Sequence, residues 1–89
     1  MTLDRDAVKA AIRDKVIVLA QALGMDASAI GDDEIIPATG LLDSTAVLEL
    51  VVWYEQTYDL ALTQEEINID NLGSINAMTE FLISRKAAA

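Results

Sequence analysis

Two of the side chains that most often carry out catalysis, cysteine and histidine, are missing from this sequence of 89 residues. Without them the chain cannot supply a thiolate nucleophile, a disulfide or an imidazole base. A Ser-His-Asp arrangement within the chain is therefore excluded. The carboxylate pair Asp32 and Asp33 has no companion base, and we interpret it as a solvated acidic turn. Any chemistry must come from an attached group or from a partner, and the chain is not predicted to be an enzyme.

Ser44 ends the distinctive stretch Gly-Leu-Leu-Asp-Ser over residues 40–44 and lies where an amphipathic helix is predicted to begin. The first turn of a helix has unpaired N–H groups and the positive end of the helix dipole, which together favour a phosphate group. A phosphodiester on Ser44 would suit this position. The alternative is that Asp43 or Ser44 serves only as the helix N-cap, since both residue types are preferred caps.

A first helix and a long loop precede this serine. Apolar residues at spacings of three and four predict a helix over residues 3–23. Residues 25–43 contain glycine, proline and paired acids, which predict a loop that is long for so small a domain. The apolar residues expected to hold this loop on the core are Ile35, Ile36, Leu41 and Leu42.

Three further helices are predicted after the loop. The second main helix covers residues 44–58. Thr63 and Glu66 have the spacing of a capping box, which predicts a short helix over 63–68. The last helix covers 75–86. The inward stripe predicted for the second helix is Val47, Leu50, Val51, Tyr54 and Tyr58. The fold class is therefore all-α, a bundle of three main helices and one short helix in a single domain over 1–89.

The charge of the chain is distributed unevenly. The net charge is −9, and between Val16 and Ser84 there are twelve acidic residues and no basic one. Nucleic acid would be repelled by this region and basic protein partners attracted to it, although acidity can also serve solubility alone. No apolar run reaches the roughly 18 residues of a membrane span, and Asp4 and Asp6 near the start argue against a signal peptide. We expect a monomeric cytoplasmic protein.

Three short motifs resemble the acyl carrier protein family. They are residues 40–44 (Gly-Leu-Leu-Asp-Ser), 49–50 (Glu-Leu) and 58–60 (Tyr-Asp-Leu), and the resemblance covers essentially all of 3–85. It implies an acyl-carrier-like four-helix bundle. It also implies that a separate phosphopantetheinyl transferase attaches a 4′-phosphopantetheine arm to Ser44, whose thiol carries acyl or aminoacyl groups as thioesters. A ligase would load the arm, and a downstream acyl-transfer enzyme would take the cargo.

Several positions depart from the pattern of the fatty-acid carriers. Asp43 matches the family motif, but Thr45 stands where a large apolar residue is usual and Ala46 where those carriers commonly have an acid. Only Glu49 and Glu55 are acidic between Ser44 and the end of the helix. The resemblance therefore favours a discrete aminoacyl carrier, including the D-alanyl type. A fatty-acid or polyketide carrier is the alternative, and an unmodified helical interaction module is the alternative from another class.

A docking surface for partner enzymes is predicted on the second helix. Successive residues of a helix are 100° apart, which places Trp53 on the flank or outer side near Ala46, Glu49 and Gln56. A tryptophan ringed by polar residues is typical of an interface anchor, whereas the alternative is a ring folded back over the core edge. The predicted docking residues are Thr45, Glu49, Val52, Trp53 and Gln56.

A calcium-binding loop at residues 68–79 is a weaker alternative. With Gly73 at the sixth position, Asn68 and Asp70 fall on ligand positions, but Leu72 also does, and Thr79 replaces the bidentate glutamate. No metal site is predicted.

Overall fold

The computed structural model describes residues 4–88, and within that range the chain forms five helices and no strand. The helices are α1 (Arg5–Ala22), α2 (Ile36–Thr39), α3 (Ser44–Tyr58), α4 (Ile69–Leu72) and α5 (Ile75–Ala88). Three are long and two are single turns, which confirms the predicted all-α fold of acyl-carrier type. Within residues 4–88 no helix is both long and apolar enough to cross a membrane.

The first helix is shorter at both ends than the predicted range 3–23. Residue 3 lies outside the described residues, and the helix begins at Arg5 because Asp4 is its N-cap. The Asp4 carboxylate accepts hydrogen bonds from the N–H groups of Asp6 at 3.0 Å and Ala7 at 3.4 Å. Just beyond its end, Gly24 has a φ of 77°, a left-handed conformation that glycine adopts without strain.

One hydrophobic core lies between the three long helices. Its fully buried side chains include Ile12, Val16, Leu50, Tyr54, Ile75, Met78 and Leu82. The Tyr54 hydroxyl donates a hydrogen bond of 2.8 Å to the Met78 carbonyl, so this buried polar atom is satisfied. Burial raises the pKa of Tyr54 far above its ordinary value, and the phenol therefore stays a neutral donor.

The inward face of α3 differs from the predicted stripe. Leu50 and Val51 are buried as predicted, but Val47 and Tyr58 are only half-buried. Ala46 was predicted on the outer side of the helix, and this prediction is wrong because the residue is 6% exposed and belongs to the core. Ala46 lies one turn before the buried Leu50, on the inward face of α3.

The long connection between α1 and α3 is ordered and contains a helix that the sequence analysis missed. α2 has Pro37 in its first turn and ends at Gly40, whose φ is 74°. Ile36 is buried, and its N–H donates to the Gly73 carbonyl at 2.7 Å. Leu42 is buried as predicted, Leu41 is half-buried, and Ile35 is exposed, so only part of the expected apolar anchor is used.

The same loop is also fixed by ionic contacts. Asp32 forms ion pairs with Arg13 and, at 3.8 Å, with Lys9, and its backbone carbonyl accepts the Asn76 N–H at 2.9 Å. The Asn76 side chain donates to the Asp33 carboxylate at 2.7 Å. Both residues lie in a turn, as interpreted, and Asp33 is exposed. Their carboxylates also tie the loop to α1 and α5, which the sequence analysis did not predict.

The short helix is also displaced from its predicted position. Thr63 and Glu66 make the reciprocal hydrogen bonds of a capping box, at 3.0 and 3.3 Å, but they enclose a turn and not a helix over 63–68. The observed helix is α4, which begins after Asn68, whose side chain accepts the Asn71 N–H at 2.8 Å. The capping residues 68–71 thus account for the polar sequence that suggested a calcium loop.

Candidate functional site

Ser44 is the first residue of α3, and the residue before it holds the helix start. Asp43 has extended backbone angles, and its carboxylate oxygen Oδ1 accepts the Ala46 N–H at 2.8 Å. Asp43 is therefore the N-cap. Ser44 is exposed, and within the described part of the chain its hydroxyl makes no hydrogen bond. The hydroxyl is consequently free to react with an approaching enzyme.

The approach of the loop to Ser44 is fixed by two neighbouring features. The buried Leu42 side chain, 4% exposed, anchors the chain on the core two residues before Ser44. Thr39 accepts the Leu41 N–H at 3.2 Å through its hydroxyl, which itself donates to the Ile36 carbonyl at 2.7 Å. These contacts give the serine a defined position although it lies at the surface.

Four of the five predicted docking residues form one exposed stripe along α3, which we call the outer stripe, and Trp53 is the exception. Thr45, Glu49, Val52 and Gln56 recur at spacings of four, three and four, and all four are exposed. Trp53 is half-buried, packs against the core and lies edge-on to Tyr58, with ring centroids 6.1 Å apart. Trp53 therefore lies on the flank of the helix: part of its ring packs against the edge of the core and part is exposed.

Leu48 is a candidate docking residue that the sequence analysis missed. Its side chain is 62% exposed, and it lies one turn after Ser44 on the same face of α3. Val52 continues this face one turn later. The helical period already placed Leu48 outside the buried stripe, so an outward leucine beside Ser44 was a recognisable signal.

An apolar groove of about 190 Å³ lies beside this face, and we call it the α3–α4 groove. It is lined by Pro37, Val47, Val51, Ile67, Asn68, Ile69, Leu72 and Gly73. None of these residues carries a charge. Ile69 is 58% exposed and Ile67 44% exposed, so apolar surface continues from the groove onto its rim. Such a groove suits an apolar group better than a charged one.

A second, smaller groove of about 110 Å³ lies on the other side of the start of α3, and we call it the α1–α3 groove. It is lined by Leu19, Ala22, Leu23, Asp43, Thr45, Ala46 and Glu49. The aliphatic residues come mainly from the end of α1. Its lining includes the residues on both sides of Ser44 in the sequence, so anything bound there lies next to the serine.

The charges on α3 are all negative. The Glu55 carboxylate accepts the Leu62 N–H at 3.1 Å and so helps to fix the chain after the helix. Asp43 and Glu49 form no ion pair with any residue of the range 4–88. No group of three or more potential metal ligands occurs among those residues either. A partner that covers the start of α3 therefore meets uncompensated negative charge.

A comparison with protein families gives one match. Residues 16–82, more than half of the chain, match the family model described as "Phosphopantetheine attachment site". The matched segment includes Ser44 and the lining residues of both grooves. Neither a curated protein nor a solved structure matches the chain.

Proposed function

Because the chain belongs to the phosphopantetheine-attachment family of carrier proteins, we propose that Ser44 bears the arm and that the arm holds an aminoacyl group. The 4′-phosphopantetheine of this family is covalently attached, and its carrier domains are non-catalytic. The protein is accordingly a carrier and not an enzyme. When bound, the arm supplies the thiol on which the cargo is held as a thioester. A cytoplasmic location and a monomeric state remain predictions.

The observation that carries the choice of Ser44 is its free hydroxyl at the start of α3. Asp43 caps the helix, so an ester on Ser44 would remove no hydrogen bond that the fold uses. A phosphodiester there would also lie at the positive end of the dipole of a 15-residue helix. The residues at the start of α3 therefore fit a phosphopantetheine arm on Ser44.

The experiment that tests this choice is an intact-mass measurement. Unmodified protein is incubated with coenzyme A and a purified phosphopantetheinyl transferase, and we expect the mass to rise by one arm. Ser44→Ala should gain no mass, whereas Ser84→Ala, which changes another exposed serine, should be modified at the normal rate. Continued modification of Ser44→Ala would exclude Ser44. If the unaltered protein gained no mass, an unmodified interaction module would become the better description.

The aminoacyl cargo is supported by the charge and residue types around Ser44. α3 contains two acids, and the structure uses Glu55 to hold Leu62, which leaves Glu49 as the exposed acid of the outer stripe. Fatty-acid carriers, by the resemblance described above, have a denser acidic run. The protein isolated from its native host should therefore carry, on the arm, a mass that corresponds to an amino acid.

A fatty-acid or polyketide acyl group is the second candidate, and the α3–α4 groove favours it. Its lining offers no carboxylate to an ammonium group, but it would shield an alkyl chain from water. Loading the arm with a hexanoyl or an alanyl group separates the two. If the groove serves the cargo, only the hexanoyl form should shift the NMR signals of Val47, Val51 and Leu72.

Partner enzymes are proposed to dock on the outer stripe of α3, with Leu48 and Trp53 as apolar anchors. These partners are the transferase, the ligase that loads the arm and a downstream acyl-transfer enzyme. Replacement of Trp53 by alanine should slow loading at least about tenfold, equivalent to roughly 1.4 kcal/mol. The loss of folding stability in this variant should be smaller than the roughly 3–5 kcal/mol lost when a core aromatic residue is replaced by alanine, because the Trp53 ring is half-buried.

Leu48→Ala is the matched control for stability in this experiment, since it removes an apolar docking residue that is not part of the core. Leu48 is mostly exposed, so its loss should slow loading with almost no change in the urea midpoint. A large stability loss in Trp53→Ala with unchanged loading of the folded fraction would assign Trp53 to the core edge alone.

A further inference from the structure

We propose that Arg85 is a clasp that holds residues 59–71 closed over the α3–α4 groove, and that its release admits groups too large for the closed groove. We call residues 59–71 the strap. The inference goes beyond the proposed carrier function, because the clasp involves neither Ser44 nor an arm attached to it.

The strap is held on the molecule by little apolar packing. None of its residues is buried. Leu60 and Leu62 are half-buried against the core, whereas Ile67 and Ile69 are 44% and 58% exposed. Segments with few buried apolar contacts open locally at a lower free energy than global unfolding requires. The strap can therefore lift while the three long helices stay folded.

Side-chain hydrogen bonds inside the strap make most of it a single unit. The Asn68 side chain donates to the Glu65 carbonyl at 2.8 Å, and the Asn71 side chain donates to the Glu66 carbonyl at 3.0 Å. The capping box of Thr63 and Glu66 closes the other end of this unit. The bonds lost on lifting are therefore those that join the strap to other elements.

Two cations in the last turn of α5 supply such bonds. Arg85 pairs with the Glu66 carboxylate, and its Nη2 donates to the Ala61 carbonyl at 3.2 Å. Lys86 donates a single bond of 3.2 Å to the Asp59 carbonyl. The planar guanidinium bonds two points of the strap at once, which an ammonium group does less well. Arg85 is therefore the main fastening on this side of the strap.

The strap forms part of the groove wall, so lifting it widens the groove. Ile67, Asn68 and Ile69 are lining residues from the strap, and Val47 and Val51 are lining residues from α3. The closed cavity of about 190 Å³ has room for roughly six water-sized atoms at about 30 Å³ each. A longer alkyl chain fits only when the strap moves away. Its apparent affinity then rises in proportion to the fraction of open molecules.

Hydrogen exchange of the unmodified protein tests the clasp. The Leu62 N–H donates to the Glu55 carboxylate, outside the strap, whereas the Asn71 N–H is bonded within the strap to Asn68. Arg85→Gln should speed exchange of the Leu62 amide about three- to tenfold, for loss of a partly exposed ion pair and a hydrogen bond. Exchange of the Asn71 amide should not change. Arg85→Lys, which keeps the charge without the planar head, should give an intermediate rate.

Arg5→Gln is the matched control for this measurement. It removes another arginine–glutamate pair of α5, the one with Glu80, which includes no strap residue, and it should leave exchange of the Leu62 amide unchanged. Adding Glu66→Gln to Arg85→Gln should cause no further increase, because the two partners act as one contact. An effect of Arg5→Gln equal to that of Arg85→Gln, or additive effects at Glu66 and Arg85, would overturn the clasp.

NMR titration with neutral alcohols tests access to the groove. 1-Butanol has five non-hydrogen atoms and fits the closed groove, whereas 1-octanol has nine and does not. From the signals of Val47, Val51 and Leu72, Arg85→Gln should bind 1-octanol about three- to tenfold more tightly than the unaltered protein and 1-butanol less than about twofold more tightly. Arg5→Gln should change neither affinity. Equal tightening of both alcohols would indicate general loosening of the fold, and unchanged binding of 1-octanol would show that the strap does not control the groove. Either result would overturn the proposal.

Discussion

The division of roles between Asp43 and Ser44 is the central feature at the residue scale. The sequence left open which of the two caps α3, because aspartate and serine are both preferred caps. The backbone decides the matter: Asp43 has a φ of −80° and a ψ of 177°, and its carboxylate reaches the Ala46 N–H. Ser44 is already helical and exposed, and its hydroxyl makes no hydrogen bond within the described residues.

This division predicts different stability costs for two substitutions. Asp43→Ala should lower the free energy of unfolding by about 1 kcal/mol, the usual value for a lost N-cap. Ser44→Ala should change it by less than about 0.5 kcal/mol, as for other exposed positions. Urea unfolding of both variants measures the difference. Equal losses would mean that Ser44 also contributes to the cap.

At the scale of elements, the long helices were predictable and the single-turn helices were not. α1, α3 and α5 bury periodic stripes, and that period is visible in the sequence. A four-residue helix such as α2 has no period, and Pro37 and Gly40 were therefore interpreted only as breakers. They are instead the first-turn proline and the terminal glycine of that helix. The contacts of Asp32 depend on tertiary structure, which no local pattern reveals.

The junction of α4 and α5 predicts a strict requirement for glycine at position 73. A Cβ added there would lie 2.3 Å from the Ile69 carbonyl oxygen, and backbone cannot move aside as a side chain can. Gly73→Ala should destabilise the fold by roughly 1–3 kcal/mol, the range for overpacking. It should also loosen α2, whose Ile36 N–H is bonded to the Gly73 carbonyl.

A matched glycine elsewhere provides the control for that measurement. At Gly31 an added Cβ would meet only the Glu34 side chain, at 3.1 Å, and this side chain can rotate away. Urea midpoints and hydrogen exchange of the Ile36 amide should therefore change in Gly73→Ala and much less in Gly31→Ala. Similar effects in both variants would contradict the proposed clash.

The segment between α3 and α4 predicts a pH dependence centred on Glu66. The Thr63 N–H, with a further contribution from Arg85, holds the pKa of the Glu66 carboxyl below its ordinary value despite partial desolvation. A lowered folded-state pKa stabilises the protein above the unfolded-state pKa, and this contribution is lost as the pH falls through the folded-state pKa.

Glu66→Gln tests this, since glutamine keeps the capping geometry and removes the charge. Its urea midpoint should lie below that of the unaltered protein at pH 7, and the gap should close as the pH falls from about 5 to 3. Glu65→Gln, one residue away and exposed, should show no such closing gap. A gap independent of pH would exclude the ionic contribution.

At the scale of the whole molecule, the cations near the two chain ends are folded onto distant acids. Arg5 bonds the Glu80 carboxylate at 2.6 and 3.0 Å, across 75 positions of sequence. Arg85 pairs with Glu66, and its guanidinium also donates to the Ala61 carbonyl at 3.2 Å. The sequence showed the uneven charge but not these pairs, and the exposed acids on and around α3 remain uncompensated.

This charge distribution predicts opposite effects of salt on stability and on loading. The net charge of −9 should outweigh the exposed ion pairs, which are worth about 0–1 kcal/mol each. Moderate sodium chloride should therefore raise the melting temperature by screening repulsion and slow loading by screening attraction to basic partners. Glu65→Gln, which carries one negative charge less, should show a smaller rise. A fall of the melting temperature with salt would show that the ion pairs dominate.

The capping of α3 by Asp43 has a consequence for the lifetime of the carrier in a cell. The arm proposed on Ser44 would break no hydrogen bond of the fold, and its phosphate would lie at the positive end of the α3 dipole. We therefore expect the armed protein to open no more often than the bare protein. A protease that cuts opened chains tracks the opened population, so attachment of the arm should not shorten the lifetime of the carrier.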